Sequence, residues 1–403
     1  MRLLQPLPLP AGPAVLDARP ELLALLDGAA AFLPLPADAP AAADALATSL
    51  RVGAPIDERC ALVVSTSGTT GTPKGALHSA ATLRASAEAT AQALGGAGGW
   101  LLALPPHHIA GLQVLLRSLA AGYEPVVLDV SDGFDPSTLP AAVAAMTGPR
   151  RYTSLVPLQL RKALADPAAT RALAELDAIL VGGAGTPPAL AAAARDAGLA
   201  ITTTYGMSET AGGCVYDGIP LPGVQVRLRD VDPHTAIGRV ELGGPTVALG
   251  YRDLPDHPAF AAPGWFRTDD LGTLTDGVLA LVGRADEAVS TGALTVVPQV
   301  VEAVIETLDG VAACAVFGVP DERLGQAVAV AVVPDGDGPD VDALTAAVAE
   351  RLDRYAAPRH VLLVDELPVR GPGKLDRRDL QRRYRDVTAT GLRHTGRVID
   401  LRR

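Results

Sequence analysis

At 403 residues and 48% hydrophobic content the chain is long enough for about two or three domains with sizeable cores, and disorder is not expected away from its ends. A formal net charge of −11 and an aromatic content of 3% speak against a nonspecific nucleic-acid surface and against a stacking platform for single strands. Cys60, Cys214 and Cys314 form no CxxC pair, "MRLLQPLPLPAGPAV" has no signal-peptide core and no apolar run reaches membrane-spanning length, so the expectation is a cytoplasmic protein without zinc, disulfides or membrane insertion.

Residues 1–58 are rich in Ala, Pro and Leu and read as irregular apart from a short helix near 40–50. From residue 60 a regular alternation begins. "CALVVS" reads as a buried strand that leads into "STSGTTGTPKG" (65–75), followed by a helix at 78–94. Strands at 100–105, 125–129, 151–156, 177–183 and 200–206 alternate with helices at 109–122, 158–166 and 186–198, the pattern of an α/β domain with a largely parallel sheet. Past about 219 the helical signal stops. "GVQVRLRD", "GRVELGG", "VALGYRD" and "GVLALVGR" read as short strands of a small β subdomain reaching 285. After "GRADE" (283–287) helices and strands return as a compact α+β domain over 287–386, and 387–403 has no apolar face and reads as a loose tail.

Two features carry chemistry. Of 34 basic residues only Lys74, Lys162 and Lys374 are lysine; Lys162 sits in an ordinary helical stretch, whereas Lys74 and Lys374 lie in Gly/Pro-rich loops, where a compact ammonium differs in use from a planar guanidinium. In "STSGTTGTPKG", read between a strand and a helix, glycines allow close backbone approach, and amides and hydroxyls then converge as anion donors beside Lys74. The spelling is not the Walker A pattern, because Pro precedes the Lys and Gly follows it.

This loop resembles the [ST]SGTTGxPKG signature of the acyl-adenylate-forming enzymes, which include acyl-CoA synthetases, nonribosomal adenylation domains and luciferases. Five further stretches resemble that family's motifs in its order: "GGAG" (182–185), "YGMSET" (205–210), "GWFRTDDLG" (264–272), "GRADE" and "PVRGPGKLDRRDL" (368–380). Asp269 stands where the family has Gly, and Asp270 takes the register of its ribose-binding Asp. The resemblance spans about 60–382 and implies a large N-terminal α/β domain (1–285) with a small β subdomain (about 219–285), hinged to a smaller, mobile α+β C-terminal domain.

What the resemblance implies for the site follows residue by residue. Ser65, Thr66, Thr69 and Thr70 with Lys74 would hold the β- and γ-phosphates of ATP, Gly182, Gly183 and Ala184 fall in the adenine-side loop, and Ser67, Gly68, Gly71, Thr204, Tyr205 and Gly206 are further ATP-binding positions. Ser208 would face the α-phosphate and Glu209 would carry Mg²⁺. Asp270, with Arg284 beside it, would take the ribose, and Lys374 would bridge carboxylate and α-phosphate. Asp286 falls at the hinge and Gly292 beside the pantetheine tunnel of coenzyme A.

"PPHHIAGLQVLLRS" with "SLVPLQL" and "YGMSETAGGCVYDG" looks most like the actinobacterial type of o-succinylbenzoate–CoA ligase, whose product enters menaquinone biosynthesis. A substrate with two carboxylates needs donors for the one that is not activated; His107, His108, Gln113 and Ser154 are candidates. The alternatives are another aryl- or acyl-CoA ligase, an adenylation enzyme loading a carrier protein, or a nucleotide-binding protein without catalysis. The signature loop comes early, at residue 65, where larger members carry about 100 or more residues first; this is compatible with a homodimer or a more open pocket.

Overall fold

The computed structural model describes residues 2–66, 73–291, 294–370, 374–390 and 397–400, with side chains except at 294, 369, 370, 374, 387–390 and 397–400. The chain forms two compact units: one of Met1–Arg227, Glu241–Thr268 and Leu274–Leu279, the other of Leu228–Val240, Asp269–Thr273 and Ala280–Arg403. The fold is mixed α/β, as expected, with a larger N-terminal and a smaller C-terminal part.

The first 58 residues are not irregular. Arg2–Leu9 and Ala31–Pro36 are parallel strands, joined through the helix Arg19–Leu26. Leu4, Leu7 and Leu9 are buried, while Pro6 and Pro8 face out. These prolines share the parity of Leu4, whose N–H points away from Ala31–Pro36 to the carbonyl of Ala54 (3.1 Å). On that side the neighbouring strand pairs only with Arg2 and Leu3, so the missing proline N–H groups fall on an open edge, where strands tolerate them. The letters alone do not show this strand, because the side that its prolines face is set only by the fold. The full sheet runs, in spatial order, Gly250–Tyr251, Gly75–His78, Leu62–Ser65, Ala31–Pro36, Arg2–Leu9, Pro55–Ile56.

A second sheet orders Ile219–Pro220, Gly212–Tyr216, Ile201–Met207, Ala178–Val181, Arg151–Leu155, Gly99–Leu102 and Val126–Val127. Its last five strands are parallel, as expected, and the first two antiparallel. Leu101, Leu155, Ile179 and Val181 pack with Leu139, Leu160, Leu173 and Ala194 of the covering helices. Two of those helices, Leu139–Ala145 and Pro167–Leu173, have only seven residues each, too few for a periodic signal. An Asp-Pro pair announces both: Asp166 accepts the amides of Ala168 and Ala169 as an N-cap with Pro at the first helical position, and Asp135 likewise starts the turn before Leu139.

The third sheet orders Gln225–Arg229, Gly238–Gly243, Trp265–Thr275 and Val278–Arg284. "VALGYRD" is not part of it. Its strand Gly250–Tyr251 pairs with Gly75–His78 (Gly250↔Leu77, Tyr251↔Ala76), and the eleven-residue strand that carries "WFRTDDLG" takes the place instead.

In the smaller unit Val311–Asp321 and Gly325–Pro334 form a long antiparallel pair. Alternation sorts its faces: Val316, Val328, Val330 and Val332 meet Val301, Ile305, Leu344 and Val348, while Phe317, Ala329 and Ala331 meet Leu380 and Tyr384. The tail expectation is corrected at Arg397–Asp400, which adds an antiparallel strand to His360–Leu363. Four residues, "RVID", are too short to stand out in an Arg-rich stretch.

Candidate functional site

The signature loop closes a hairpin. Ser65 pairs with Gly75, and the Thr66 amide donates to the carbonyl of Lys74 (2.8 Å). The loop therefore joins two antiparallel strands; the helix expected directly after it begins only at Ala80. Gly75 is required by space, since a Cβ there would lie 2.6 Å from Val63 Cγ1 and 3.0 Å from Leu50 Cδ2. Ser67, Gly68, Thr69, Thr70 and Gly71 lie outside the described residues. Lys74 is half-buried, with Nζ 5.0 Å from the centroid of the Tyr251 ring and 3.2 Å from His257 Nε2.

"SET" forms a single 3₁₀ turn, Ser208–Thr210, ended by Ala211 in the left-handed region (φ 54°). The Thr210 hydroxyl accepts the Met207 amide (3.0 Å) and donates to the Gly212 carbonyl (2.9 Å), which holds the turn from both ends. The Ser208 hydroxyl donates to the carbonyl of Ser65 (3.1 Å), tying turn to hairpin. His78, fully buried, lies 2.6 Å from the Ser208 carbonyl; since that oxygen only accepts, Nε2 carries the proton. Burial lowers the His78 pKa to about 4, against the opposing effect of that hydrogen bond. Glu209 is buried, and its Oε1 accepts the Tyr251 hydroxyl at 2.5 Å.

Thr204, Tyr205 and Gly206 lie on the strand Ile201–Met207, beside the strand that ends at Val181, just before Gly182, Gly183 and Ala184. A Cβ on Gly182 would collide with Thr204 Oγ1, and one on Gly206 with the Gly212 carbonyl. Gly206 is thus explained by close backbone approach, and Gly182 by the Thr204 side chain packed against it.

At the start of the helix Ile109–Ala120 the rings of His107 and His108 stand 4.2 Å apart. His107 is half-buried and held near pKa 4, mainly by burial and then by His108, with Asp38 opposing; His108 is exposed. Gln113 is buried, but its amide N–H₂ already donates to the Ala211 carbonyl (2.7 Å), so it anchors the turn. Ser154 is buried on Arg151–Leu155. Sequence reasoning missed Arg117, one turn beyond Gln113. It is 6% exposed, its guanidinium lies 5.3 Å from the Trp100 ring, and it makes no hydrogen bond or ion pair among the described residues. Nη2 lies 4.0 Å from where a Cβ on Gly212 would sit.

In the smaller unit two arginines hold three acids, and Arg284 takes two of them. It donates to Asp270 (3.1 Å) and in bidentate fashion to Asp286 (2.8 and 3.0 Å), while Asp269 is held by Arg239. Burial alone would lower the Arg284 pKa; the hydrogen bond to Asp286 and the charges of Asp270, Asp286 and Asp269 raise it above its ordinary value. Lys374 lies on a two-residue strand whose partner is Val369–Arg370, with its side chain outside the described residues, as is Gly292. Three residues on, Arg377 donates from Nη2 to both carboxylate oxygens of Glu302 (2.7 and 2.9 Å), reaches Glu287 (3.0 Å) and donates to the Val316 carbonyl (3.0 Å).

Ser65, Thr66, Lys74, Ser208 and Glu209 are therefore brought together in the larger unit, joined by Tyr251, His257 and His78; Asp270, Arg284 and Asp286 are brought together in the smaller one. Among the described residues no group of three or more His, Cys, Asp or Glu is arranged to hold a metal ion, and no helix is long and apolar enough to cross a membrane.

The AMP-binding enzyme family matches residues 13–252, and the AMP-binding enzyme C-terminal domain residues 300–374. The chain is 54% identical over 381 residues to a "Probable 2-succinylbenzoate--CoA ligase" of Mycobacterium tuberculosis, covering 93% of this chain and 97% of that protein. A feruloyl-CoA synthase of Amycolatopsis is 34% identical over 400 residues (93% and 79%). Among solved structures, o-succinylbenzoate CoA synthetase from Bacillus subtilis with the acyl-adenylate intermediate OSB-AMP superposes with a TM-score of 0.67 at 29% identity, over 80% of this chain and 69% of that one. The amide bond synthetase McbA from Marinactinospora thermotolerans gives 0.78 at 27% identity (95% and 90%). With its two domains matched in order and a relative this similar along nearly its whole length, the chain belongs to the AMP-binding, acyl-adenylate-forming enzyme family.

Proposed function

We propose that the chain is an AMP-forming acid–thiol ligase that converts 2-succinylbenzoate to its CoA thioester in the cytoplasm. The observation that carries the substrate is Arg117. A buried guanidinium without an acid partner is costly, and the fold keeps one beside the turn that bears Glu209. A second carboxylate on the substrate supplies the missing anion, in the bidentate geometry that guanidinium favours. Ser154, on Arg151–Leu155, and His107, before the helix that bears Arg117, would be further donors.

In the first step a carboxylate oxygen attacks the α-phosphorus, the bond to the β-phosphate oxygen breaks, and pyrophosphate leaves. This needs alignment and charge neutralisation more than covalent help. The hairpin loop and Lys74 would hold the β- and γ-phosphates, Ser208 would face the α-phosphate, and Asp270, oriented by Arg284, would take the ribose hydroxyls. Lys374 would bridge carboxylate and α-phosphate. Glu209 is a hard oxygen donor fixed by Tyr251, and it fits Mg²⁺, which takes one or two carboxylates and completes its shell with water and phosphate. When bound, the ion would neutralise phosphate charge. In the second step the thiol of CoA attacks the acyl carbon and AMP leaves; Asp286 would serve as the hinge for this step, and Gly292 would lie beside the pantetheine of CoA.

Labelled pyrophosphate exchange with a panel of acids tests this reading. Exchange is strong with 2-succinylbenzoate and weak with benzoate, ferulate and medium-chain fatty acids. Methyl esterification of the aryl carboxylate costs roughly 2–5 kcal/mol if Arg117 receives that group desolvated, and Arg117→Ala removes the difference between acid and ester. A higher kcat/KM with benzoate, ferulate or a fatty acid refutes the substrate and leaves the reaction class standing.

A further inference from the structure

His257 belongs to none of the six motifs, yet it stands 3.2 Å from the ammonium of Lys74. The Ala259 amide donates to its Nδ1 (3.2 Å), so the proton of the neutral ring sits on Nε2, the atom that faces Lys74. An ammonium likewise has only protons to offer. The pair is therefore two donors side by side rather than a hydrogen bond, and its geometry suits a shared acceptor oxygen. Lys74 has no carboxylate partner among the described residues; its other neighbour is the face of Tyr251. The His257 ring is held edge-on against that same Tyr251 (4.7 Å), whose hydroxyl holds Glu209.

We infer that His257 is a phosphate-binding residue: Nε2–H and the Lys74 ammonium together hold an oxygen of the β- or γ-phosphate of ATP, and of pyrophosphate in the reverse direction. This rests on the nucleotide reading proposed above. It also ties the phosphate contact to Glu209 through one aromatic ring, so that the anion donor and the acid proposed for the metal are set by the same side chain.

Two substitutions in the full chain separate this role from a structural one. His257→Asn keeps an acceptor oxygen for the Ala259 amide and withdraws the donor at Nε2; His257→Gln returns an N–H near that position. In pyrophosphate exchange the Asn variant raises KM for pyrophosphate and for ATP about tenfold or more, the scale of one hydrogen bond to a charged group, with KM for the carboxylate unchanged. The Gln variant recovers most of the loss. Conversion of supplied acyl-AMP and CoA to thioester involves neither β- nor γ-phosphate and stays within about twofold of the parent in both. Equal loss in the two half-reactions, or a pyrophosphate KM like the parent's, overturns the inference. A parent enzyme that exchanges with no acid overturns the functional reading instead, so the two failures are distinguishable.

Discussion

Arg377 lies three residues past the lysine proposed to catalyse adenylation, and its removal has a calculable cost. Its guanidinium makes two bonds to Glu302, one contact to Glu287 and one bond to the Val316 carbonyl, and the Arg377 and Glu302 side chains are 14% and 12% exposed. Glu302 also accepts the Val316 amide (2.7 Å). Arg377→Ala leaves the Glu302 charge buried without its cation, which costs about 3–5 kcal/mol. In a unit of roughly 100 residues each kcal/mol moves Tm by about 4–8 °C, so the C-terminal transition falls by roughly 12 °C or more. The pH dependence gives a second reading. Burial raises the Glu302 pKa against the lowering effect of Arg377, and without Arg377 it rises further. A carboxyl whose folded pKa exceeds its unfolded value favours the fold when protonated, an advantage present at low pH and lost as pH rises through the folded pKa. The penalty of Arg377→Ala should therefore shrink as pH falls from neutrality toward the ordinary glutamate range, and adding Glu302→Gln should recover part of it at pH 7. Scanning calorimetry of the full chain across pH measures both. A variant that melts with the parent at pH 7, or a gap that does not change with pH, refutes the reasoning.

Lys374→Ala should cut acyl-AMP formation by several orders of magnitude while conversion of supplied acyl-AMP to thioester is far less affected, and Lys374→Arg should also be poor because the guanidinium is larger and planar; equal loss in both half-reactions would make the lysine structural. Asp286→Pro fixes φ near −65° at the proposed hinge and should slow thioesterification at least about tenfold with adenylation near the parent's. Asp286→Asn controls for the lost bidentate bond to Arg284, and stopped-flow measurement that finds thioesterification unchanged in the Pro variant rules out rotation at this residue. His78, neutral in the fold with its pKa lowered to about 4, should cost stability as pH falls from about 6.5 toward 4, because the unfolded chain then binds the extra proton; a His78→Asn variant whose melting follows the parent's across that window would contradict this.

The parallel sheet was legible because Gly99–Leu102 and Ala178–Val181 are short apolar runs beside Gly, Arg151–Leu155 and Ile201–Met207 are rich in Thr and Tyr, and each long helix keeps its period, as Ile109–Ala120 does. What escaped were elements whose logic is not local. The strands Arg2–Leu9 and Ala31–Pro36 are stabilised by each other across a helix, and their prolines are harmless only because of which side of the strand they face. "VALGYRD" has the letters of a β-subdomain strand, yet it pairs with a hairpin some 170 residues earlier, since Tyr251 and Ala76 become neighbours only once the chain has returned.

The same distinction divides the site. Ser65, Lys74, Ser208, Glu209 and Asp270 announce themselves because backbone geometry, glycine placement and charge must all be written into one short stretch. His78, Arg117, Tyr251, His257 and Arg377 carry no such spelling. Each acts through contacts across the fold: His78 on the Ser208 carbonyl, Tyr251 on Glu209, His257 beside Lys74, Arg377 on Glu302. In a chain with 31 arginines the letter at 117 or 377 says nothing by itself. The signal is burial set against partnership: Arg377 is half-buried with two acids, and Arg117 is buried with none among the described residues. Desolvation thus reads as structure at one position, where the protein supplies the counter-charge, and under the proposed function as recognition at the other, where a substrate anion would bring it.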